Sequence, residues 1–118
     1  MSERVKKFLE ESGYPAHVVS GGQAGLVERW REFVDAVEKG YKLGIEDYRN
    51  DLDIRMILKR AKVENAEVRE LDERLKKLLK PAKKRVWESG RGKPFWDFGV
   101  PANAKGSFLN DLKAEGLV

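Results

Sequence analysis

Two charged stretches hold the side chains of this 118-residue chain that could do chemistry. The acidic one comprises Glu46, Asp47, Asp51 and Asp53, interrupted by Arg49 and followed by Arg55. Neighbouring carboxylates can bind Mg²⁺ or share a proton for acid–base work. On a continuous helix Asp47, Asp51 and Arg55 share a face, with Asp51 and Arg55 at ion-pair spacing. The same residues could cap a short helix and pair with basic groups from elsewhere. EF-hand spacing is absent, as is the second ligand block of a phosphotransfer enzyme. Local capping and ion pairing are therefore expected, with no metal and no cofactor assigned.

The basic stretch is denser. Lys76, Lys77, Lys80, Lys83, Lys84, Arg85, Arg91 and Lys93 face one acid, Glu88, a net of +7 over 18 residues. Residues 1–59 carry 10 Lys+Arg against 11 Asp+Glu, while residues 60–118 carry 14 against 9. The net charge of +4 thus belongs to the second half. Such density suits phosphates, which reward charge without base contacts, and Trp87 or Trp96 could stack on an exposed base. It also suits an acidic protein surface. A solvated face opposite Leu75, Leu78, Ala82 and Val86, close to a helix C-terminus that favours cations, explains it with no partner at all.

Other chemistry is excluded by what is missing. No Cys occurs, so thiolate nucleophiles, redox pairs, disulfides and Cys-based metal sites are ruled out. His17 is the only histidine, and no residue near it specifies a catalytic partner. Gly21, Gly22 and Gly25 suggest a phosphate cradle, but no predicted strand precedes them and neither nucleotide fingerprint is complete. A helix-turn-helix reading would point Glu46 and Asp47 at phosphates, which argues against it. Phe95, Trp96 and Phe98 sit between Pro94 and Pro101 with no periodic face, either pinned to the core or forming a docking patch.

The elements that must position these groups read as helices. Ser2 can cap a short helix carrying Val5, Phe8 and Leu9, stopped at Gly13 before Tyr14-Pro15. Ala16 to Val19 reads as extended. Ser20 and Gln23 fit a capping box for the next helix, in which Leu26, Trp30, Phe33, Val34 and Val37 form one apolar stripe. Gly40 ends it and Tyr41 folds back. Leu43 to Ala61 is helical with a register break near Asp51, giving one helix with a widened face or two short ones. Asn65 caps a helix through Val68, Leu71, Leu75 and Leu78, with a kinked continuation past Pro81 to about Trp87. Residues 90–104 form an irregular arm, and Ser107 caps a last helix holding Phe108, Leu109 and Leu112 before Gly116. No strand is expected.

These signals predict a single all-α domain over residues 1–118, a compact bundle of four or five short helices with an aromatic arm. No apolar run reaches membrane-spanning length and no signal peptide opens the chain, so a cytoplasmic location is expected. The leading functional expectation is a protein-protein interaction or regulatory module, self-associating or binding a charged partner, rather than an enzyme. Its candidate surface is Lys76, Lys80, Lys83, Lys84, Arg85, Trp87, Arg91, Lys93, Phe95, Trp96 and Phe98, with the acidic patch as counterpart. An RNA- or DNA-binding protein using residues 76–93 is the alternative, and a small carboxylate-based enzyme the second.

Overall fold

A computed structural model of the chain describes residues 2–88 and 92–118, with Ser2 described by its backbone alone. The expected Ser2 cap and the candidate Arg91 therefore lie outside what is described. Among the described residues the order is α1 (Ser2–Glu11), α2 (Ala16–Lys39), α3 (Ile45–Arg60), α4 (Ala66–Leu78), β1 (Leu79–Pro81), β2 (Gly99–Pro101) and α5 (Gly106–Ala114). The architecture is the expected mostly helical bundle, with α2 at its centre against α1, α3 and α4. None of these helices is long and apolar enough to cross a membrane.

The stripe on α2 is the core. Leu26, Trp30, Phe33, Val34 and Val37 are all buried. Trp30 stacks on Phe33 at 5.1 Å, and Phe33 meets Tyr41 and Tyr48 edge-on at 5.8 and 5.4 Å. Phe108 closes the cluster 5.0 Å from Tyr41 and 5.3 Å from Tyr48. Edge-to-face and offset contacts are the arrangements that ring quadrupoles favour, so this cluster welds α2, α3 and α5.

The start of α2 differs from expectation. Residues 16–19 are helical, because Pro15 presets the backbone ahead of the first turn, and its carbonyl accepts from the N–H groups of Val18 and Val19. The Ser20 hydroxyl donates to the His17 carbonyl at 3.3 Å, inside a helix rather than at its cap. The break falls at Gly22, whose φ of 57° and ψ of −150° belong to a region that only glycine adopts readily.

α3 is one helix. Its buried face takes in Tyr48, Leu52, Arg55, Met56 and Leu58 because it is covered on two sides, by α2 and by Val86, Trp87 and Trp96. Asn65 caps α4 as expected, its side chain accepting from the Val68 N–H at 3.0 Å.

The kinked continuation of α4 does not form. Pro81 offers no N–H, and its ring would collide with the carbonyl four residues earlier in a helix. The chain instead turns extended at Leu79, and β1 pairs antiparallel with β2, Lys80 opposite Val100. The ladder is completed by bonds from the Ala82 N–H to Phe98 and from the Ala102 N–H to Leu78. Gly99 permits the close approach, since a Cβ there would lie 3.0 Å from the Leu79 side chain. The described part of the aromatic arm is accordingly ordered: Phe95–Asp97 forms a 3₁₀ turn and β2 is buried. Ser107 does not cap α5, which begins one residue earlier, after Lys105; Gly116, at positive φ, ends that helix as expected.

Candidate functional site

Among the described residues the bundle buries one cation. Arg55 is 3% exposed and sits on the α3 stripe between Leu52 and Met56. Its Nε and Nη2 donate to the two oxygens of Asp72 on α4, at 3.0 and 2.8 Å. Its Nη1 and Nη2 donate to Glu64 at 3.2 and 2.8 Å. Asp72 also accepts the Trp30 indole N–H at 3.0 Å, and the Arg55 guanidinium lies 4.9 Å from the centroid of Trp96. Burial works against the charge, but the hydrogen bonds to Asp72 and Glu64 outweigh it and push the pKa up. The expected Asp51–Arg55 pair does not form, because Arg55 turns into the core towards α4.

An open groove of about 560 Å³ lies over this ion pair. Arg55 and Glu64 contribute to its floor, and Pro94, Phe95 and Trp96 form an apolar wall. Three lysines complete it: Lys59 from the last turn of α3, Lys62 from the turn beyond, and Lys76 from the last turn of α4. Lys76 places its ammonium 5.0 Å from the Phe95 ring centroid and 3.4 Å from Glu73. Lys62 holds a φ of 59°, the only positive value at a non-glycine among the described residues. It occupies the left-handed position of a Schellman turn, in which the Val63 N–H bonds to Leu58 and the Lys62 N–H to Lys59. Glycine is the ordinary occupant there, because a Cβ costs about 1 kcal/mol or more in this conformation.

The other basic candidates divide. Lys80, Lys83, Lys84 and Lys93 are exposed. Arg85 is held by its own contacts, donating to Asp97 at 2.8 Å and to the Trp87 and Gly92 carbonyls, with its guanidinium 5.1 Å from the Phe98 ring centroid. Trp87 is half-buried, its indole N–H donating to Asp53 at 2.7 Å and Arg49 lying 5.7 Å from its ring centroid. Trp96 is 4% exposed and meets Trp30 edge-on, so it presents no face for base stacking, and Trp87 keeps only part of its ring accessible. Phe95 is half-buried, and Phe98 is 37% exposed.

The acidic residues do not converge. Glu46 accepts from Arg49 at 3.2 Å, Asp51 accepts the Tyr41 hydroxyl at 2.7 Å, Asp53 holds Trp87, and Asp47 is exposed. Burial raises the Asp51 pKa, with Tyr41 opposing and Asp47 reinforcing the rise. Burial and the bond to Asp51 likewise push the Tyr41 phenol well up. No cluster of three or more candidate metal ligands occurs among the described residues, and His17 is exposed.

Lys59, Lys62, Glu64 and Asp72 escape sequence reasoning, because they come together only when the ends of α3 and α4 meet. One signal was available. Arg55 follows Leu52 by three residues on an apolar stripe, and a buried guanidinium requires carboxylates from elsewhere. Comparison with protein-family models, curated proteins and solved structures returns no match.

Proposed function

We propose that this chain is a protein-interaction module that captures an acidic segment of a partner polypeptide through its cationic second half. One observation carries the reading: lysines from two separate stretches, the end of α3 and the end of α4, border one groove, while Glu64 and Asp72 are engaged by Arg55. Among the described residues only Lys76 of the three has a carboxylate, the exposed Glu73, beside it. The groove therefore keeps an excess of positive charge beside an apolar wall. Lys80, Lys83 and Lys84 lie outside the groove but are exposed and would speed capture by steering.

A polypeptide partner is preferred to nucleic acid because Trp96 is buried and Trp87 is tied to Asp53, which leaves Phe95 alone as a part-exposed ring beside the groove lysines. A hetero-partner fits better than self-association through opposite patches, since Asp51 and Asp53 already hold Tyr41 and Trp87. The divergent carboxylates give the enzyme reading no support.

The test is fluorescence anisotropy with a labelled oligo-glutamate and an oligouridylate of equal charge, each titrated at low and moderate salt. The peptide should bind more tightly, with affinity falling as salt rises. Tighter binding of the oligouridylate, or no peptide binding at low salt, would overturn the proposal.

A further inference from the structure

We infer that the groove over Arg55 is a pocket for an aromatic residue flanked by carboxylates on the partner chain. This rests on the reading above that the partner is an acidic polypeptide, and adds what selects one acidic segment over another.

Charge alone would recognise any acidic chain. The groove offers more, because its cations rim an apolar wall made of Pro94, Phe95 and Trp96. At about 560 Å³ the open groove has room for one side-chain ring laid along its wall. A ring entering there can meet Phe95 at an edge or face, as Trp96 already does from within at 5.2 Å. Arg55 directs four of its five N–H donors at Asp72 and Glu64, so it acts as a positioning residue: it fixes Trp96 and leaves partner carboxylates chiefly to the lysines.

Lys62 supplies the independent observation. The Schellman turn would be relieved by glycine, yet the chain keeps a lysine at a φ of 59° on the groove rim. Strained backbone of this kind clusters at ligand clamps and recognition sites. The left-handed turn directs the chain so that the ends of α3 and α4 share one groove. Lys76 rests over Phe95 and against Glu73, so an incoming acid–aromatic pair can take over both of its contacts.

The experiment uses two short peptides of equal charge on the full chain, one with a phenylalanine between glutamates and one with alanine in its place. The phenylalanine peptide should bind about tenfold tighter, the return expected for burying one ring. Lys62→Gly should weaken that binding while raising the thermal midpoint by about 2–5 °C, which separates recognition from folding. In NMR titrations the Phe95 ring resonances should shift with the phenylalanine peptide. Equal affinity of the two peptides, or unchanged binding in Lys62→Gly, would overturn the pocket while leaving the acid-partner reading standing. Binding of neither peptide would overturn both.

Discussion

The guanidinium of Arg55 lies 4.9 Å from the centre of the Trp96 ring, joining the middle of α3 to a loop forty residues further along the chain. This contact makes the aromatic segment part of the core. It also sets the wall of the groove above it. Arg55 is held from the other side by Asp72, which in turn holds Trp30, so one buried charge organises α2, α3, α4 and the loop.

Removing that charge should be costly. Arg55→Met leaves Asp72 with the Trp30 N–H alone, while the half-exposed Glu64 can turn to water. The expected loss is about 2–3 kcal/mol in urea unfolding, below the 3–5 kcal/mol of a wholly buried pair. Arg55→Lys should recover little, since an ammonium cannot bridge two carboxylates and lie flat on an indole. A loss under about 0.5 kcal/mol for Arg55→Met would contradict this role, being within the range of ordinary surface substitutions.

Two glycines three residues apart should respond in opposite directions. Gly22→Ala forces a side chain into a conformation reserved for glycine, beside the Lys6 stem at 3.1 Å, and should cost about 1–3 kcal/mol. Gly25→Ala meets nothing within 4 Å inside the same helix and should gain about 0.5–1 kcal/mol. Thermal unfolding of the two variants checks both signs, and a stable Gly22→Ala would refute the kink.

Among the described residues Tyr48 carries a buried hydroxyl without a hydrogen-bond partner, and burial followed by the charge of Asp97 pushes its phenol well up. Tyr48→Phe removes the desolvated group and keeps the ring in its aromatic cluster. Stability should rise by about 1 kcal/mol. A fall in the denaturation midpoint would show instead that the hydroxyl is satisfied in solution.

Asp51 gives the pH signature. Its pKa is raised in the fold by burial, so the folded state favours the protonated acid. The associated stability is fully present below the unfolded value of about 3.9 and is lost as pH rises through the folded value. Asp51→Asn keeps an acceptor for the Tyr41 hydroxyl without the charge. Its stability relative to the natural chain should therefore improve as pH is raised from about 4 towards neutrality. Chemical unfolding at both ends of that window tests the sign; an advantage that shrinks with rising pH would be contrary.

Local signals made much of this fold legible. The apolar spacing from Leu26 to Val37 and the Asn65 cap depend on residues within a few positions of one another, and both appear in the structure. Pro81 was misleading because Ala82 and Val86 keep helical spacing beyond it. Whether they continue a helix is decided by Gly99–Pro101 returning to pair with β1, which no local pattern announces. The same distinction separates the two halves of the candidate surface. Lys76 and Phe95 could be read as a cation and an aromatic of interest, but Lys59 and Lys62 acquire meaning only beside them. The acidic stretch looked like a site because its members are close in sequence, and the fold disperses them to Tyr41, Trp87 and Arg49.

Where an acidic peptide binds decides whether the groove is the recognition site. The deciding measurement is the affinity of one acid–aromatic peptide for two triple variants, Lys59→Gln/Lys62→Gln/Lys76→Gln in the groove and Lys80→Gln/Lys83→Gln/Lys84→Gln outside it. Both lose the same charge, so their difference reports position alone. The groove variant should lose about tenfold in affinity or more, at roughly 0.5 kcal/mol per exposed ion pair, and the outer variant should lose mainly association rate. Equal losses, or a greater loss in the outer variant, would contradict the groove as the recognition site.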